Sequence, residues 1–151
     1  MRRVLVAFDG SEPSKKALEK VIKFSQKNSS IFVLYVIDEG EIKWPSRIDI
    51  SLIWSGNIDE LEKNMLEIHK EYANRILKQA ESIAKKNKRK VKTICEIGFP
   101  PDKIVEVAER LKCDLIAVGS TSRLAFEFIL GSVAQKVVLK SKIPVLVVKQ
   151  S

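Results

Sequence analysis

The stretch RVLVAFDGSEPSKKALEKVIKFSQKNSSIFVLYVID, residues 3–38, decides the fold. Residues 3–9 are apolar and β-branched as far as Asp9 and read as a strand. Ser11 or Ser14 then caps a helix. Its positions Ala17, Leu18, Val21, Ile22 and Ser25 recur at the i, i+3, i+4 spacing of a core-facing stripe. Residues 30–38 are a second strand, apolar almost throughout. Strands apolar on both faces belong to a parallel sheet covered on both sides. Further strands follow at 91–97, 114–119 and 143–149. Helices fill the gaps. One runs from about Asp59 to Lys86, with Leu61, Met65, Ile68, Tyr72, Ile76, Ala80 and Ile83 on one face. Another starts at Pro101 and buries Ile104, Val105, Ala108 and Leu111. The last runs from Ser132 to about Lys140. With right-handed crossovers the simplest solution is a single-domain α/β protein over 1–151. Its five parallel strands take the doubly wound, Rossmann-like order 3-2-1-4-5.

Composition narrows the function classes. A chain of 151 residues, 45% hydrophobic and 30% charged, is a globular domain with a real core. No apolar run approaches the ~20 residues that span a bilayer. The N-terminal apolar run stops at Asp9, too short for a secretion signal of about 7–15 apolar residues. Cys95 and Cys113 have no metal-site spacing and are expected as reduced, buried thiols of a cytoplasmic protein. The net charge is +8, and its densest run is KKNKRKVK, residues 85–92. That run falls where a long helix ends, a position that favours cations. No recognition-helix, zinc-finger or RNP pattern accompanies it, so nucleic acid is not an expected partner.

In the order 3-2-1-4-5 the chain reverses between strands 1 and 4, and ligands of such sheets bind beside that switch point. Asp9 ends strand 1 and Gly119 ends strand 4. Two Gly-Ser pairs, Gly119-Ser120 and Gly131-Ser132, bracket this region in VGSTSRLAFEFILGSV, residues 118–133. Ser132 and Gln135 have the S-x-x-Q spacing of a capping box, which starts the last helix there. The start of that helix attracts anions. Gly119 and Gly131 permit positive φ and close phosphate approach. Ser120, Thr121, Ser122 and Ser132 offer hydroxyls, and Arg123 a charge. Glycine-rich turns are also ordinary loop chemistry, and neither a dinucleotide fingerprint nor a Walker loop occurs. His69 reads as a partly buried structural residue, Asp38, Glu39 and Glu41 as a solvated acidic turn, and Phe126 and Phe128 as loop or core anchors. No acid and base stand at a spacing that specifies a reaction. Residues 39–58, with Trp44, Pro45 and Trp54, fit neither period and form a variable insertion after strand 2.

VLVAFDGSEPSKKAL, LYVIDEGEI, GFPPDKIVEVAERLKCDLIAVGS and LGSVAQKVVLKSKIPVLVVK together resemble the universal stress protein family along nearly the whole chain. The resemblance implies that family's adenine-nucleotide α-hydrolase-like fold. Its ATP-binding members carry G-x2-G-x9-G-[ST] after strand 4. Gly119 matches the first glycine, Gly131 and Ser132 match the end, and Ser122 replaces the middle glycine. Eight residues separate Ser122 from Gly131 where the motif has nine. By resemblance Asp9 faces the ribose, the Val36 backbone meets the adenine, and Ala7, Phe8 and Val118 are walls. The expected binding residues are therefore Ala7, Phe8, Asp9, Val36, Val118, Gly119, Ser120, Ser122, Gly131, Ser132 and Val133. The implied ligand is ATP, with or without Mg2+. The implied role is a stress-response regulator or sensor with slow or no hydrolysis and a protein partner that the sequence does not name. It is homodimeric through the apolar edge strand 144–148. The alternative is a family member that has lost nucleotide binding and serves as a dimeric interaction module.

Overall fold

The structure, a computed structural model, describes residues 2–42, 56–120 and 130–149. Its elements are β1 (Arg3–Ala7), α1 (Glu12–Phe24), β2 (Ser30–Asp38), α2 (Glu39–Ile42), α3 (Ile58–Lys86), β3 (Lys92–Gly98), α4 (Pro100–Arg110), β4 (Leu115–Ser120), α5 (Ser132–Lys140) and β5 (Val145–Lys149). The sheet is parallel in the order β3-β2-β1-β4-β5, as the alternation of strands and helices predicts. β1 is central: Val4 pairs with Ile31 on one side and Leu115 on the other.

Side chains alternate across the sheet. Val4, Val6, Phe8 and Val33 pack on one face against Ala17 and Leu18 of α1 and Ile76 and Ala80 of α3. Leu5, Leu34, Ile116 and Val118 pack on the other against Ile104 and Val107 of α4 and Ala134 and Val137 of α5. The sheet separates the two halves of the core. No helix among the described residues is long and apolar enough to cross a membrane.

Three expectations need correction. The stripe of α3 is rotated: Ile68 is 65% exposed and Tyr72 44%, while Ala73, Leu77 and Ala84 join Ile76 and Ala80 in the core. Alanines let the helix axis approach β2 more closely than large side chains would. Cys95 is exposed, because β3 is an edge strand, where Ile97 is exposed too. Cys113 is buried as expected, and burial pushes its thiol up to about 11. Strand β1 ends at Ala7 rather than Asp9. The Phe8 N–H still donates to Leu34 O at 2.8 Å, but at Asp9 the chain turns. Trp44 and Trp54, and most of the 39–58 insertion, lie outside the described residues. The insertion begins with the single turn α2.

Candidate functional site

The turn from β1 into α1 is held by its own polar groups. Asp9 Oδ1 accepts from the Ser11 N–H at 2.9 Å and from the Ser11 hydroxyl. Gly10 takes φ +80, where a side chain would be strained and its Cβ would stand 2.7 Å from Ile76. Ser11 is the N-cap, accepting from the Ser14 N–H at 3.4 Å, and the Ser14 hydroxyl donates back to Ser11 O at 2.9 Å. The first turn of α1 then lies directly on the end of β4. A Cβ on Gly119 would stand 2.5 Å from both Pro13 C and Ser14 N. Gly119 is thus required by helix–strand contact. The expected positive φ is absent there, and Gly131 has φ −56.

The two Gly-Ser pairs meet. The buried Ser120 Oγ accepts from the Gly131 N–H at 3.0 Å, so the hydroxyl at the end of β4 fixes the start of α5. Ser120 therefore acts from behind the site as a positioning residue. The expected capping box does not form. Gly131 is the N-cap, Ser132 is the first helical residue, and no side chain caps α5. The reason is the Ser120 bond, which already holds Gly131 with its carbonyl accepting from the Gln135 N–H. The N–H groups of the first turn of α5 thus have no helical partner, and among the described residues no side chain caps them. The start of α4 is different. It opens Pro100-Pro101, which removes two donors and leaves an apolar wall.

Between these elements lies a cavity of about 270 Å³. Ala7, Phe8, Asp9, Val36, Val118, Gly119, Gly131, Ser132 and Val133 all line it. Ser122, like Thr121, Arg123, Phe126 and Phe128, lies outside the described residues. Sequence reading did not assign Ser14, Leu34, Tyr35, Asp38, Glu41, Pro100, Ile104 or Ala134 to the lining. Some of these were in reach. Asp38 and Glu41 follow the carboxyl end of a central strand, and Pro100 opens a helix at the same end of the sheet.

The described lining carries three carboxylates, Asp9, Asp38 and Glu41, and no lysine or arginine. Asp38 Oδ1 accepts from the Gly40 N–H at 2.9 Å. The partly buried His69 places Nδ1 4.0 Å from Glu41 Oε2. Burial, reinforced by Tyr72, Glu41, Cys95 and Asp9, pushes the Tyr35 phenol up to about 12, so it remains a neutral hydrogen-bonding group on the wall. Among the described residues no three carboxylate, imidazole or thiol groups gather as metal ligands. The arrangement can therefore clasp a flat apolar group between β1, β2 and α4, accept hydrogen bonds from hydroxyls at Asp9, and offer main-chain donors to an anion at α5.

Comparison with known proteins agrees with this geometry. Residues 1–149 match the family model described as the universal stress protein family. Universal stress protein MJ0577 of Methanocaldococcus jannaschii is 35% identical over 158 aligned residues, covering 99% of this chain and 95% of that protein. Its solved structure superposes with a TM-score of 0.79 at 32% identity, over 99% of this chain and 96% of that one. Universal stress protein YxiE of Bacillus subtilis is 32% identical, covering 97% of this chain and 98% of its own. The universal stress protein of Archaeoglobus fulgidus, solved in complex with dAMP, shares the fold. It has a TM-score of 0.66 and 22% identity over 99% of this chain and 98% of that one. Fold and sequence agree, and the chain belongs to the universal stress protein family.

Proposed function

We propose that this protein binds an adenine nucleotide in the cavity between β1, β4 and α5 and acts as a stress-response regulator or sensor through its occupancy. The observation that carries the reading is the Ser120–Gly131 hydrogen bond. It sets the start of α5, which no described side chain caps, across from the carboxyl ends of β1 and β4, where doubly wound sheets keep their ligands. Adenine lies in the slot formed by Ala7, Val36, Val118, Pro100 and Ile104, the ribose hydroxyls donate to Asp9, and the phosphates meet the first turn of α5. The Archaeoglobus fulgidus neighbour that holds dAMP supports the adenine class. ATP is the ligand of this reading, with slow or no hydrolysis. The described lining adds no cation, so Mg2+ accompanying ATP would be held by the phosphates and water and would offset repulsion from the carboxylates. The active unit is a homodimer paired through the free edge of β5.

Mass spectrometry of the denatured, freshly purified protein tests for carried nucleotide, and calorimetry with ATP and AMP measures affinity. Asp9→Asn keeps an acceptor for the Ser11 turn but removes the charge, and should weaken ATP by about 1 kcal/mol while leaving inorganic pyrophosphate binding unchanged. No carried nucleotide and no binding heat with either ligand would leave the interaction-module reading in its place.

A further inference from the structure

The cationic charge of this chain collects at the end of the sheet opposite the cavity. The parallel strands begin there, β1 at Arg3 opposite Ser30 and β3 at Lys92 opposite Phe32. The run 85–92 passes from the last turn of α3 into this end, with Lys85, Lys86, Lys88, Lys90 and Lys92 all exposed. The Arg89 guanidinium donates to Ser25 O at 3.3 Å, Ser25 Oγ at 3.2 Å and Gln26 O at 3.0 Å. Those bonds fasten the run to the end of α1 and bring it beside Lys23, Lys27 and the exposed Phe24. The cavity lining carries Asp9, Asp38 and Glu41 instead and no described lysine or arginine.

Helix dipoles account for Lys23, Lys85 and Lys86, which occupy last turns. They do not account for Lys88, Lys90 and Lys92, which lie beyond the helix. Two lysines at this end also hold a disfavoured backbone conformation: Lys88 has φ 55 and Lys112 φ 51. Both close a helix in the same way. Arg89 N donates to Ala84 O and Lys88 N to Lys85 O, while Cys113 N donates to Ala108 O and Lys112 N to Glu109 O. The left-handed residue of this turn is ordinarily glycine, since a side chain is strained there. At both positions the chain keeps an exposed lysine. No carboxylate among the described residues lies within ion-pair distance of Lys88, Lys90, Lys92 or Lys112. On α1, next to the Ser25 that Arg89 grips, the Phe24 ring is 69% exposed, with Lys23 Nζ 5.9 Å from its centroid.

We infer that this basic end binds single-stranded nucleic acid, with a base stacked on Phe24 and phosphates on Lys88, Lys90, Lys92 and Lys112. An exposed aromatic ring among unpaired cations suits a flexible strand whose bases are free to stack. One ring stacks one base, whereas a lipid surface gains from several inserted apolar groups. The absence of a recognised motif fits a site that reads charge and stacking rather than sequence.

The test is fluorescence anisotropy of a labelled oligouridylate about 20 nucleotides long, titrated with the full chain between about 50 and 200 mM salt. Lys88→Gly/Lys112→Gly is the chief variant, because glycine relieves both left-handed turns. Its melting temperature should equal or exceed the wild type's, while its slope of log affinity against log salt becomes shallower by about 1.4, roughly 0.7 per lost phosphate contact. Phe24→Ala should weaken binding roughly tenfold with the slope unchanged. Saturating ATP should not displace the oligonucleotide. The inference is overturned by no binding at low salt, an unchanged slope in the double glycine variant or unchanged affinity in Phe24→Ala. Displacement by ATP would place the strand in the cavity. Phosphatidylglycerol vesicles that bind more tightly than RNA and are lost with the same variants would make the face a membrane surface. Either result also overturns it.

Discussion

Gly119→Ala separates two explanations of a glycine that the family motif assigns to phosphate. An added Cβ would stand 2.5 Å from Pro13 C and Ser14 N and 2.8 Å from Pro13 Cβ. Carbon contacts are comfortable at about 3.5–4.0 Å, so the first turn of α1 must retreat by about 1 Å. These are backbone atoms and a proline ring, and none can rotate aside. The same helix buries Pro13, Ala17 and Leu18, so a retreat also loosens its seat on β1 and β4. Overpacking of this kind costs about 1–3 kcal/mol. At about 2–4 °C per kcal/mol for a domain of this size, the melting temperature should fall by roughly 2–12 °C with no nucleotide present. Scanning calorimetry of the nucleotide-free protein measures it. Gly40→Ala is the control, since among the described residues its Cβ meets only Asp38 Oδ1 at 3.3 Å. ATP affinity should fall with stability, because Ser14 lines the cavity from the displaced turn. If Gly119→Ala melts within about 1 °C of wild type yet loses ATP, the glycine serves the ligand and the packing argument is wrong.

The Arg2 and Arg3 N–H groups, at 2.8 and 2.9 Å, hold the Asp114 carboxyl below its ordinary value. A lowered folded value stabilises above about pH 4 and the effect fades as pH falls through the folded value, so Asp114→Asn should flatten the acid limb of melting temperature against pH. An acid limb identical to wild type's would refute this. The Tyr35 phenol, pushed up to about 12 by burial, lies above its unfolded value of about 10, so stability falls as pH climbs between them. Tyr35→Phe should remove that loss and the late component of the phenolate absorbance titration; a surviving late component would reassign it. At the sheet edge, the Ile116 N–H donates to Pro144 O, so by strand alternation Val147 points its N–H away from β4. Val147→Pro therefore spares the β4 ladder and should turn a β5-paired dimer monomeric on light scattering. A dimer of unchanged affinity would place the interface elsewhere.

The strands were legible because a parallel sheet covered on both faces leaves long apolar runs. Where that cover ends, the reading failed. Cys95 and Ile97 are apolar in type but occupy an edge strand, and the composition of β3 does not reveal which face lacks a helix. The face of α3 was misread for another reason. Ile68 and Tyr72 are large and repeat at helical spacing, but Ala73, Ala80 and Ala84 govern how closely the helix approaches β2. A small residue gives little hydrophobic signal and exerts a strong steric one.

Motif matching named segments that line the cavity, but not the packing that holds them there. It read both motif glycines as permitting positive φ and close phosphate approach. Gly119 instead admits a neighbouring helix, and Gly131 is an extended N-cap. Ser120, read as a hydroxyl donor, accepts the Gly131 N–H and keeps its own O–H to donate. That bond also bears on the replaced glycine and the shortened spacing. The start of α5 is fixed to the end of β4 by one hydroxyl and one amide, at the two ends of the intervening segment. With eight residues between Ser122 and Gly131 where the family motif has nine, Ser120 and Gly131 still meet. The two Gly-Ser pairs stand together because the first holds the second.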